Sequence, residues 1–95
     1  MAADPRTVLE LSVNNHPGVM SHICGLFSRR AFNLEGIACL PEGDGAKSRI
    51  WLLVHSEDKL EQMIRQLDKL EDVNQVASHD GDHPVFEQLR KFFVN

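Results

Sequence analysis

The chain has 95 residues, of which 42% are hydrophobic and 25% charged, with a formal net charge of −4. These values describe one ordinary globular domain and exclude nonspecific binding to DNA, RNA or acidic membranes, so no nucleic-acid or membrane partner is expected. At this length folding buries only about 60–65% of the unfolded surface, which makes pairing with a second chain an expected source of stability.

Residues 1–6 read as a short leader, without the apolar core of a signal peptide. No apolar run approaches the roughly 20 residues that span a bilayer. Cys24 and Cys39 lack Cys-x-x-Cys spacing and read as reduced thiols, so a cytoplasmic location is expected. Residues 7–13 alternate, with Leu9, Leu11 and Val13 on one face and Val8, Glu10 and Ser12 on the other, as a strand with one buried face does.

A turn over Asn15, His16, Pro17 and Gly18 follows, then a helix over 17–30. Pro17 fits the first helical position, and Asn15 or His16 is the expected cap. Val19, Ile23, Leu26 and Phe27 recur at helical spacing, with Met20 and Cys24 widening the stripe. Residues 33–40 read as a second strand and 41–45, Pro-Glu-Gly-Asp-Gly, as a loop. A third strand covers 49–55, continuously apolar from Ile50 to Val54 as a central strand is. Ser56 is the expected cap of a second helix, with Glu57 and Asp58 in its first turn and Leu60, Met63, Ile64, Leu67 and Leu70 as its stripe. Residues 72–78 form a weak fourth strand on Val73 and Val76. After a polar loop over 80–83, a short helix over 84–93 carries Val85, Phe86, Leu89, Phe92 and Phe93 on one side.

The order βαββαβ with right-handed crossovers predicts an α+β, ferredoxin-like fold. Its antiparallel sheet runs 4-1-3-2 with two helices on one face, plus the short C-terminal helix. Residues 7–79 form the domain and 80–95 the loop and terminal helix. The second strand is then an edge, and Ile37, Cys39 and Leu40 on it invite pairing with another chain. Trp51 lies on the opposite strand face from Ile50 and Leu52, as a core residue or an anchor for a partner. The terminal Phe stripe must bury on this sheet or on another protein.

The helix start is the first candidate site. The amides of Gly18, Val19 and Met20 point out of the helix end with the positive end of its dipole behind them, and Gly18 has no side chain to block a carboxylate or phosphate. Asn15 and Asn33 read either as a turn residue and a left-handed residue after the helix, or as a ligand-binding pair. The helix runs back down the sheet by about 20 Å, so Asn33 cannot reach Asn15's site within one chain. Two chains paired through the second strand about a two-fold axis bring Asn15 of one copy to Asn33 of the other. Ile37 and Cys39 on that edge are the candidate apolar lining. His16 and His22 are six residues apart, do not share a helical face and have no third ligand, so no metal is expected. A catalytic role is disfavoured because no nucleophile–base pair is evident.

A strand, then Asn-x-Pro-Gly-Val, a helix with Leu-Phe in its last turns, then Phe-Asn-Leu-Glu resembles the opening of an ACT domain, a small amino-acid-sensing module. The longer string NHPGVM…ICGLFSRRAFNLEGIACLP resembles the small regulatory subunits of acetohydroxyacid synthase (acetolactate synthase) in their short, isozyme I form. The resemblance runs over residues 7–78 and is strongest over 14–41. It implies a homodimer that holds valine at its interface, with Asn15, His16, Pro17, Gly18, Val19 and Met20 from one copy and Asn33, Ile37 and Cys39 from the other. It further implies a non-catalytic role in feedback regulation of branched-chain amino-acid synthesis. The partner would be the catalytic large subunit, which carries thiamine diphosphate, FAD and magnesium, with no cofactor in this chain. Two readings stand beside it: an ACT module that regulates another metabolic enzyme, and an acylphosphatase-like enzyme on the same topology. The latter needs a basic phosphate loop, and residues 14–19 offer only His16.

Overall fold

A computed structural model describes residues 5–94. The first four residues of the expected leader and Asn95 lie outside it. The elements are β1 (Arg6–Asn14), α1 (Val19–Arg29), β2 (Leu34–Glu42), β3 (Lys47–His55), α2 (Leu60–Asp68), β4 (Val73–Asp80) and α3 (Pro84–Arg90). One antiparallel sheet has the order β2-β3-β1-β4, the expected ferredoxin-like arrangement. The two most apolar strands are central because both of their faces lose water.

Directly paired residues share a face of the sheet. Leu9 opposite Leu52, Leu11 opposite Ile50 and Val13 on β1 form the floor of the main core. Val19, Ile23, Leu26 and Phe27 of α1 and Leu60, Met63 and Leu67 of α2 pack onto it. Val8 and Leu53 point the other way and are covered by Phe86 of α3, with Trp51, Val85 and Leu89 around it. The protein thus has helices on both faces of the sheet. The terminal stripe divides: Phe86 is buried, Val85 and Leu89 are half-buried, and Phe92 and Phe93 stay 86% and 80% exposed. Phe92 and Phe93 lie in the turn that follows α3, which ends at Arg90.

Several boundaries differ from expectation. Pro17 is not the first residue of α1. The helix opens at Val19 on a left-handed Gly18 (φ 90°), without a side-chain cap, so neither Asn15 nor His16 caps it. Glycine adopts that φ far more readily than residues with a Cβ. The exit of α1 is a Schellman turn: the Phe32 amide donates to the Phe27 carbonyl at 2.9 Å and the Ala31 amide to the Ser28 carbonyl at 3.1 Å. Phe27 and Phe32 close it with an edge-to-face contact, their ring centres 6.0 Å apart. The left-handed residue after α1 is therefore Ala31 (φ 58°) and not Asn33.

Ser56 does not cap α2, which starts at Leu60 behind Lys59. Ser56 Oγ instead shares a 2.7 Å hydrogen bond with Thr7 Oγ1, and its amide donates to the Pro5 carbonyl. β2 and β3 extend further than the sequence pattern indicates. Pro41 lies inside β2, which an edge strand permits because one row of its amides has no ladder partner. α3 begins with Pro84 behind His83, whose Nδ1 accepts the Val85 amide at 3.1 Å.

Candidate functional site

The helix start is built by three segments distant in sequence. Asn15 anchors it to the β2–β3 turn: its backbone amide donates to the Ala46 carbonyl at 3.0 Å and its Nδ2 to the Gly45 carbonyl at 2.8 Å. That turn holds left-handed Gly43 and Gly45 and is tightened by Asp44, which accepts the Ala46 amide at 2.9 Å. The Nδ2 bond sets the amide's orientation and leaves Oδ1 as an acceptor with no bond among the described residues.

The second anchor is the segment ahead of β4. His16 Nε2 lies 2.6 Å from Asp72 Oδ1, and His16 Nδ1 lies 3.1 Å from the Pro17 carbonyl oxygen. Both ring nitrogens face acceptors, which an imidazolium satisfies and a neutral ring does not. The Pro17 carbonyl first, then Asp72, raises the His16 pKa. His16 in turn lowers that of Asp72, with help from Asn14. The Asn14 amide donates to the Asp72 carbonyl at 2.8 Å, and Asn74 Nδ2 donates to Asn14 Oδ1 at 3.1 Å.

Asn15, His16, Pro17 and Gly18 are exposed, and a Cβ added at Gly18 would meet nothing within 4 Å. The Val19 amide is turned back to the His16 carbonyl at 3.4 Å, a weak bond, while the Gly18 and Met20 amides have no partner among the described residues. The Val19 side chain belongs to the core and Met20 packs against that core, so both offer backbone rather than side chain to the open end.

Asn33, Ile37 and Cys39 are elsewhere. Within β3, Lys47 pairs with Asn14 and Glu42, and Val54 with Thr7 and Leu34. Asn15 and Asn33 therefore flank opposite ends of the sheet, separated along the strands by roughly 23 Å. A single copy does not bring them together. Ile37 and Cys39 pair with Leu52 and Ile50, which puts them on the face that carries α1 and α2. Both are exposed, Ile37 by 44%. β2 is an edge strand without a partner on its outer side among the described residues.

Sequence reasoning missed the roles of Asp72 and Gly45. No local pattern marks either one, because each acts on a residue from a different element. It also missed the polar chain on the α3 side of the sheet. Arg49 bonds Glu10 through Nη1 and donates from Nε to Glu42 Oε2 at 2.6 Å, while His79 Nε2 lies 2.8 Å from Glu10 Oε1. Burial pushes the Glu10 carboxyl up, but His79 and Arg49 outweigh it and hold the group below the usual carboxylate range. No cluster of three His, Cys, Asp or Glu side chains disposed to hold a metal occurs among the described residues. No helix among them is long and apolar enough to cross a membrane.

Comparison with known proteins places this geometry in a family. The model of the AHAS small subunit-like ACT domain matches residues 9–75. The acetolactate synthase isozyme 1 small subunit of Escherichia coli K12 is 59% identical over 86 residues, which cover 90% of each chain. The acetolactate synthase small subunit of Mycobacterium bovis is 38% identical over 90% of this chain and 52% of its own length. Among solved structures, the acetolactate synthase small subunit of Thermotoga maritima superposes with a TM-score of 0.69 at 28% identity, over 93% of this chain and 67% of that one. The chain belongs to the family of acetolactate synthase small subunits built on an ACT domain.

Proposed function

We propose that the protein is the non-catalytic, valine-sensing regulatory subunit of an acetolactate synthase in the cytoplasm. It joins a catalytic large subunit that carries thiamine diphosphate, FAD and magnesium, and it mediates feedback control of branched-chain amino-acid synthesis. The observation that carries this reading is the match to a whole small subunit across 90% of both chains.

The geometry supports a specific mode of binding. Two copies pair edge to edge through β2, which supplies the bare hydrogen-bonding row and the exposed Ile37 and Cys39. The two-fold axis carries Asn33 of one copy to the helix start of the other. The carboxylate of valine lies on the Gly18 and Met20 amides, where the helix dipole favours an anion. Its ammonium group donates to Asn15 Oδ1 and to Asn33, and its isopropyl group meets Ile37 and Cys39. A ligand held by two copies stabilises their dimer by mass action, and the altered dimer presents a different surface to the catalytic subunit.

Calorimetry on the purified chain tests this with valine, leucine and isoleucine. Valine is expected to bind, and Gly18→Val to abolish binding by filling the carboxylate position. Thermal melting of the variant separates blockage from loss of fold. Absence of valine binding to the chain, alone and with its catalytic subunit, overturns the reading.

A further inference from the structure

α3 is held to the sheet by little. It has seven residues, too few for a helix to persist without packing, and Phe86 is its one buried side chain. Beneath it lie Val8 and Leu53, which are 0% and 4% exposed with the helix in place. What fixes its start is an imidazole. His83 is its N-cap, and Nδ1 accepts the Val85 amide at 3.1 Å. That bond requires a lone pair on Nδ1, hence a neutral ring.

The same imidazole belongs to a cluster of rings. Its centre is 4.8 Å from the Trp51 ring and 4.7 Å from His79. His79 is 5.8 Å from Trp51 and bonded to Glu10. The charged groups on the neighbouring elements are Glu10 on β1, Glu42 on β2, Arg49 on β3, His79 and Asp80 on β4, Asp82 in the loop, and Glu87 in the first turn of α3. A proton on Nδ1 sets two donors face to face and removes the cap.

We infer that α3 is a pH-released cover over the second face of the sheet and that His83 is its latch. At neutral pH the unprotonated ring caps the helix and Phe86 seals Val8 and Leu53. On acidification His83 takes a proton, the Val85 amide loses its acceptor, and α3 opens to expose an apolar patch centred on Val8, Leu53 and Trp51. Histidine is the side chain suited to such a change near neutrality.

The test is amide hydrogen exchange on the full chain from about pH 7.5 to about pH 5.5, corrected for the intrinsic rate at each pH. Emission from Trp51, the single tryptophan, is followed in parallel. Protection of the α3 amides should fall by roughly fivefold to tenfold, the effect of losing one cap, while β1 and β3 hold theirs and the Trp51 emission moves to the red. His83→Asn and His83→Ser supply a cap that does not titrate, and each should keep α3 protected across the range. The inference is overturned by α3 protection that does not change with pH in the native chain. It is equally overturned by a dependence that survives in both variants, or by an unprotected α3 at every pH in both, since capping would then not be what holds the helix.

Discussion

His16 and Asp72 meet at 2.6 Å although they lie in opposite halves of the chain, and their contact joins the start of α1 to the entry of β4. Both are largely at the surface, so the pair orders the loop more than it stabilises the fold. The raised His16 pKa means that its contribution is fully present below the ordinary histidine value and is lost as pH rises through the folded value. The lowered Asp72 pKa means that its contribution is present above the ordinary carboxyl value and is lost as pH falls through the folded one. The His16–Asp72 pair is therefore intact between the lowered Asp72 value and the raised His16 value. Ring titration of His16 by NMR should show a pKa above that of an exposed histidine, and Asp72→Asn should bring it down. An unchanged His16 titration in that variant would show that the pair does not form in solution.

Ala31 occupies a left-handed position that glycine fills more readily. The Schellman turn and the Phe27–Phe32 contact hold it there. Ala31→Gly should therefore stabilise the protein by about 0.5–1 kcal/mol, the relief of a left-handed alanine less the added freedom of the unfolded chain. Thermal or urea denaturation checks the sign.

Gly36 passes directly beneath α3. A Cβ there would lie 2.8 Å from Phe86 Cε1 and 3.2 Å from Leu53 Cβ. The Phe86 ring is packed into the second cluster and has to shift if an atom is added. Gly36→Ala should cost about 1–3 kcal/mol, as overpacking does. It should also move Trp51 emission to the red as α3 lifts. A melting temperature and emission equal to those of the native chain would show that α3 is not seated on β2.

The separation of Asn15 and Asn33 permits a sharper test of the shared site. An Asn15→Ala chain is paired with an Asn33→Ala chain. If each site draws its two asparagines from different copies, the mixed dimer has one doubly damaged site and one intact site. Calorimetry should then give half the normal stoichiometry at near-normal affinity. If each site lies within one copy, both carry a single lesion. Loss of one charge-assisted bond weakens binding by about 1.5–3 kcal/mol, so no normal-affinity site would remain.

The sequence alone determined the elements and their layers. Alternation in β1, the unbroken apolar run of β3 and the helical stripes of α1 and α2 dictate which faces leave water, and the βαββαβ order then leaves few ways to arrange them. It also marked the helix start, because Pro17 and Gly18 are local punctuation. The tertiary structure decided what depends on contacts between distant residues. Gly18 rather than a polar side chain begins α1, since Asn15 is drawn away to Gly45 and His16 to Asp72. Ala31 rather than Asn33 turns left-handed, since Phe32 must reach back to Phe27. α3 covers the face opposite the other helices, a placement that its own apolar stripe does not encode, because Gly36 supplies the room for Phe86 from another strand. Periodicity reports which side of an element is buried; only packing determines what buries it.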